Sequence, residues 1–294
     1  MRVTVVGAGL MGAQIGCEYA LGGHEVVLHA RDAEAALARA QAGFALLAEH
    51  GLRAPAEVAE ARARVSASAG TSEAAADADL LVESLPERLE LKAAVLRIAL
   101  AAARPQAVVA TNTSSLSIAA VGDAIGAIER TVGTHYLNPP LLMPPVEVIA
   151  GARTSAATLA FARDTIAALG KLPVVVRRDV PGFVWNRLQF ALVRECVWLV
   201  EHGVASVGDV DTVVREGLAR RWRRVGPLRS IALGGIDTWN RSGANIVPAL
   251  STASELPDLG AIALAGGDLA EDAARRDAAL AAELRAERGG SSER

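Results

Sequence analysis

Aromatic residues make up only 3% of the 294 residues, and cysteine occurs twice, at Cys17 and Cys196. Two cysteines form one bridge at most, which excludes a disulfide framework and a cysteine zinc cluster, so a reducing, cytoplasmic setting and no metal are expected. Charge of one sign is also missing. Thirty Lys+Arg against 33 Asp+Glu leave a net charge of −3, too balanced for a basic phosphate-binding surface, and nucleic acid is not an expected partner. The longest charge-free stretches are broken by Asn, Thr, Ser and Pro, so no transmembrane helix and no membrane partner are expected. A lipobox signal at Cys17 is disfavoured because Gln14 stands where that motif takes an aliphatic residue, and Arg2 alone forms the charged region. Lysine is nearly absent as well: only Lys92 and Lys171 occur, and every other Lys/Arg position is arginine. An ammonium specifically required at Lys92 would explain that exception, since lysine and arginine are not interchangeable.

What remains is aliphatic, with 51% of residues hydrophobic. At about 100–200 residues per domain, the length favours two domains. Short apolar runs read as strands at 3–6, 25–29, 65–67, 79–83, 108–111, 131–136, 146–149 and 172–176. Between them, helical periodicity marks 10–21, 32–50, 55–64, 87–102 and 155–169. This alternation predicts an α/β fold, a Rossmann-type, mostly parallel sheet over residues 1–180. After Pro181-Gly182 the pattern becomes helical, at 183–201 and 206–218, and predicts an all-helical domain over 181–294. The closing ERGGSSER reads as a frayed tail.

GAGLMG, Gly7 to Gly12, follows a strand and opens a helix, the context in which a glycine loop binds a dinucleotide. Gly7 permits the turn, Gly9 lets the backbone approach a pyrophosphate, and Gly12 lets helix and strand pack, with Leu10 and Met11 between them on the cofactor side. The second strand ends His29-Ala30-Arg31-Asp32. Ala30 stands near the place where a ribose-binding acid is expected, and Arg31 offers a guanidinium suited to a 2′-phosphate. The cofactor is therefore NAD or NADP, tilted to NADP; the competing reading leaves Arg31 solvated and makes Asp32 a helix cap.

Five segments carry a resemblance: GAGLMGAQIG, VESLPERLELK (82–92), ATNTSSLSI (110–118), GTHYLNPPLLMPPVEVI (133–149) and PGFVWNRLQ (181–189). With them the chain resembles the L-3-hydroxyacyl-CoA dehydrogenase family over about residues 1–235. The double proline of His-Tyr-Leu-Asn-Pro-Pro and EGLARRWRRVGPL (216–228) look closer to its lambda-crystallin and L-gulonate 3-dehydrogenase branch. Oxidising a secondary alcohol needs a base for the hydroxyl proton, and histidine titrates near neutral pH. His135 is the candidate base, and Glu147 in the next strand would orient its ring. Ser114 and Asn186 resemble the family's polar groups that hold the substrate oxygen, with Ser115 the rival to Ser114. Glu87 and Lys92 match positions that contact the cofactor.

Asn138 and Arg221 complete the candidate substrate residues. Arg221, within the run Arg220 to Arg224 around Trp222, matches an arginine of the lambda-crystallin branch and could clamp a free carboxylate. The 32–64 segment holds no lysine and offers a CoA phosphate little basic surface beyond Arg53. The expectation is an NAD(P)-dependent dehydrogenase acting at the 3-position of a small 3-hydroxy or 3-oxo acid, working as a homodimer. The alternatives are the same reaction on a 3-hydroxyacyl-CoA or a biosynthetic β-keto intermediate, and a non-catalytic, crystallin-like dinucleotide-binding protein.

Overall fold

A computed structural model describes residues 1–259, 262 and 268–290. Its centre is an eight-stranded sheet in the order β3-β2-β1-β4-β5-β6-β7-β8. The strands are β1 (Arg2–Val6), β2 (Glu25–His29), β3 (Val65–Ser68), β4 (Leu80–Glu83), β5 (Val108–Thr111), β6 (Thr131–Tyr136), β7 (Pro145–Ile149) and β8 (Leu172–Val176). All neighbours pair in parallel except β6 and β7. The β1, β4 and β5 residues are almost all buried, as expected for strands covered on both faces.

The sheet-bearing unit comprises residues 1–186 and 270–294. One face of the sheet packs against α1 (Leu10–Leu21), α2 (Ala33–Glu49), α3 (Pro55–Ala63) and α7 (Ala156–Ala168), through Ile15, Phe44, Val58 and Ile166 among others. A second cluster joins Val6, Leu81 and Val109 to α4 (Thr71–Ala75), α5 (Leu89–Ala102) and α6 (Ile118–Ile125). Because β1 connects toward β2 on one side and β4 lies on the other, the crevice above their carboxyl ends is where an open sheet of this kind takes a ligand.

The second compact unit, Arg187–Leu269, is helical. It contains most of α8 (Trp185–Glu201), then α9 (Val207–Thr212), a π-helical stretch Val213–Ala219, α10 (Arg220–Val225), α11 (Pro227–Gly234) and α12 (Ile236–Ile246). The C-terminal α13 (Leu269–Gly290) returns to the first unit, where Ala281 is fully buried in the sheet's larger core and Leu280 and Leu284 pack beside it. Leu284 follows Ala281 by three positions and Leu280 by four, so the three share one side of the helix. The expected frayed tail is helical through Gly290, and its last four residues lie outside the described ones. Among the described residues, no helix is long and apolar enough to cross a membrane.

Candidate active site

Register places the site. Val6, Glu83, Thr111 and Gly133 lie in one row across β1, β4, β5 and β6. The segments that follow this row, starting at Gly7, Ser84, Asn112 and Thr134, therefore meet at the carboxyl edge of the parallel strands. Every motif singled out in the first unit, except those after residue 136, begins at this edge.

The glycine loop fits a dinucleotide. Gly7 has φ +100°, and a Cβ there would meet the Ser84 carbonyl at 2.7 Å; a Cβ on Gly12 would collide with the Gly7 carbonyl. Around Gly9, by contrast, a Cβ would meet nothing within 4 Å, so that backbone lies open to a ligand. The Gly7 and Ala8 N–H groups donate to the His29 carbonyl at 3.0 and 2.9 Å, tying the turn to β2. Among the described residues, no side chain caps the N-terminus of α1, whose N-cap is Gly9. Its first amides are left for an anion, and the helix dipole favours a pyrophosphate there. Leu10 is exposed and Met11 half-buried. Beyond β2, Arg31 is exposed, while the Asp32 carboxylate accepts from the Ala35 N–H and caps α2.

His135 and Glu147 face each other across the antiparallel β6–β7 pair. His135 Nδ1 lies 2.7 Å from Glu147 Oε2. The other carboxylate oxygen accepts from the Val184 and Trp185 N–H groups at 2.8 and 2.9 Å. Burial pushes the Glu147 carboxyl up, but the bonds from His135, Trp185 and Val184 outweigh it and hold it below its usual range. An ionised carboxylate only accepts, so in the neutral ring the proton sits on Nδ1 and Nε2 presents a lone pair. Among the described residues, no hydrogen-bond partner occupies that nitrogen.

A short segment after Pro181-Gly182 joins the parts. Phe183 is buried at φ +48°, its ring centroid 5.6 Å from that of His135. A left-handed conformation is costly for a bulky residue and persists only where its surroundings hold it. Here it aims the next two amides at Glu147. Asn186, one residue further, brings Nδ2 to 3.5 Å from the Ser114 carbonyl. Ser114, Ser115 and Asn138 are exposed and Asn186 is half-buried.

Glu87 and Lys92 differ from the simplest expectation. Glu87 precedes α5, in a loop, and its Oε1 accepts from the Ser114, Ser115 and Leu116 N–H groups and from the Thr113 and Ser115 hydroxyls. The carboxylate thus shapes the loop bearing Ser114. Burial acts to raise its pKa, yet Thr113, Lys92 and Ser115 bring it down to about 2. Lys92 is 1% exposed. Its ammonium reaches Glu83 Oε1 and Oε2 at 2.7 and 2.9 Å, Glu87 Oε2 at 3.1 Å and the Leu85 carbonyl at 3.1 Å. It is therefore buried, its three N–H groups surrounded by four oxygens. Sequence reasoning missed Glu83, fully buried and also bonded by the Thr111 hydroxyl at 2.6 Å. The available signal was an acid ending the apolar run Leu80-Leu81-Val82. Arg221 lies in the helical unit, on α10, and is exposed.

Comparison with known proteins agrees with this layout. The family model "3-hydroxyacyl-CoA dehydrogenase, NAD binding domain" matches residues 2–180, and the model of the family's C-terminal domain matches 182–256. The chain is 36% identical over 249 residues to 5-formyl-3-hydroxy-2-methylpyridine 4-carboxylate 5-dehydrogenase of Mesorhizobium japonicum, covering 81% of this chain and 77% of that protein. It is 38% identical over 237 residues to L-carnitine dehydrogenase of Streptomyces coelicolor, covering 80% and 73%. A crystal structure of a 5-formyl-3-hydroxy-2-methylpyridine 4-carboxylic acid 5-dehydrogenase, described as an NAD+-dependent dismutase, superposes with a TM-score of 0.88 at 31% identity over 98% of both chains.

Proposed function

The chain belongs to the 3-hydroxyacyl-CoA dehydrogenase family and is an NAD-dependent dehydrogenase of the 3-hydroxy acid type; from that premise we propose that His135 and Glu147 form its acid–base dyad. The 2.7 Å bond across β6 and β7 carries this reading, with Glu147 locked by two backbone amides. In the oxidative direction, Nε2 of His135 takes the hydroxyl proton while the C3 hydrogen leaves as hydride. A nicotinamide held at the glycine loop would supply the hydride acceptor. Glu147 keeps the ring in place and stabilises its cation. Ser114 and Asn186 donate hydrogen bonds to the substrate oxygen as its charge develops, and Asn138 lines the same edge. Gly7, Gly9, Leu10, Met11 and Gly12 would hold the pyrophosphate, while Glu87 and Lys92 act on the cofactor site by shaping the Ser114 loop.

The favoured substrate is a small free acid, with Arg221 pairing to its carboxylate. One relative is named for a pyridine carboxylate and another for L-carnitine, and neither name carries a CoA thioester. The exposed apolar side chains of the helical unit, Leu228, Leu233 and Ile236 among them, support a homodimer. Cys17 and Cys196 are free, in keeping with a reducing cytoplasm. NADP is the finer reading of the cofactor: the exposed Arg31 guanidinium suits a 2′-phosphate. The experiment is a set of initial rates with free 3-hydroxy acids and CoA esters against NAD+ and NADP+, in the wild type and Arg31→Ala. Turnover of free acids is expected, with Arg31→Ala weakening NADP(H) more than NAD(H). A change equal for both cofactors removes Arg31 from 2′-phosphate recognition, and turnover of CoA esters alone overturns the free-acid reading.

A further inference from the structure

The chain's other lysine has no part in the chemistry above, yet it too is buried. Lys171, just before β8, brings Nζ to 2.6 Å from Glu18 Oε1, and both side chains are more than nine-tenths buried. The same ammonium donates to the Pro140 carbonyl at 2.6 Å and to the Met143 carbonyl at 3.3 Å. Glu18 belongs to α1, the helix whose N-terminus opens at the glycine loop. Pro140 and Met143 belong to the segment between β6 and β7, which runs from Asn138 into the strand bearing Glu147. One charged group thus bonds the cofactor helix and the loop that joins the two halves of the dyad.

The loop has other anchors as well. It closes on itself through the Leu142 and Met143 N–H groups, both donating to the Pro139 carbonyl at 3.0 Å. Leu141 and Leu142 plug it into the sheet's larger core. Neither device connects the Pro140 and Met143 carbonyls to α1, and a buried carbonyl without a donor is costly. A buried ion pair is weak evidence for stability, because apolar residues of similar volume often serve as well. What it supplies is direction: each donor fixes one distance.

We infer that Lys171, held by Glu18, is a positioning residue for hydride transfer, setting the 138–144 loop relative to the cofactor-binding helix. This rests on the dehydrogenase reading above. The mechanism is geometric, since displacing a reacting group by about 1 Å costs on the order of a hundredfold in rate.

The test replaces both charges at once, in Glu18→Gln/Lys171→Met, so that no lone charge stays buried. Expected is a ten- to hundredfold fall in kcat/KM, carried by kcat, with the Kd for NAD+ within twofold of wild type. Amide hydrogen exchange at Leu142 and Met143 should accelerate at least tenfold while β1 and β4 stay protected. Glu18→Gln/Lys171→Gln retains a donor for the carbonyls and should lose less; if the methionine variant does not fold, the glutamine variant against wild type decides by the same readings. A folded variant with wild-type kcat/KM, or unchanged exchange in the loop, overturns the inference and leaves the pair a packing element. If the wild type itself oxidises no 3-hydroxy acid, the dehydrogenase reading fails, whereas the loop anchor still stands or falls on the exchange rates.

Discussion

In the sheet-bearing unit Val5, Leu81, Leu96 and Val109 are wholly enclosed, whereas in the helical unit Leu228 is 80% exposed and Leu233 66%. Only Val197 and Val210 are buried among the described hydrophobic residues of the helical unit. The charges divide the same way. The first unit holds Lys92–Glu83, Lys171–Glu18 and His135–Glu147 away from water, while the second shows Arg215–Glu216 and Arg220–Glu216 at the surface. Exposed pairs are worth roughly 0–1 kcal/mol, and buried groups lose far more when one partner is removed. The difference teaches where precision resides: the first unit carries a preorganised site, and the second a surface whose apolar groups lack cover.

The largest effect that can break this contrast concerns His135. His135→Gln should lower kcat by about 10²–10⁴-fold with nearly unchanged NAD+ binding, because general acid–base catalysis has that worth. Wild-type turnover would remove the dyad. Next comes Lys92→Met, which strands the Glu83 charge in a fully buried place. It should cost about 3–5 kcal/mol in urea unfolding; a loss under about 1 kcal/mol would show that the cluster is hydrated and that the first unit is no more rigidly wired than the second.

Arg221→Met probes whether the helical unit recognises substrate. A charge-assisted hydrogen bond is worth about 1.5–3 kcal/mol, so kcat/KM for free acids should fall about ten- to 150-fold while esters are spared. Equal losses on both would return Arg221 to a structural role. The smallest effect sharpens the packing contrast. In dilute protein, Leu228→Ala should change unfolding free energy by no more than about 0.5 kcal/mol, against about 2–5 kcal/mol for Leu96→Ala. Similar losses at the two positions would mean that Leu228 is already covered in solution.

Much of this was legible beforehand. All eight strands lie where short apolar runs predicted them, and α1 matches its expected span from residue 10 to 21. Those features depend on local periodicity and on glycines whose neighbours are near in sequence. The missed helices are instructive: α4 has five residues, too few for a period, and α6 (IAAVGDAI) carries apolar residues at most of its positions. The His135 and Glu147 pairing was anticipated because adjacent strands bring it about. Glu83, Phe183 and the Val184 and Trp185 amides were not, because each acts across a distance that no spacing reveals.

By itself, then, the sequence determined the alternation of strand and helix, the glycine loop's turn and the placing of His135 and Glu147 on successive strands, since these follow from short-range sterics and local periodicity. Tertiary structure alone decided that α13 packs back on the sheet, that Glu87 serves the Ser114 loop from a coil, and that both lysines are buried. Burial and hydrogen-bond partnership depend on which distant surfaces meet, and a charged side chain reads the same in a sequence whether water or three carbonyl and carboxylate oxygens surround it.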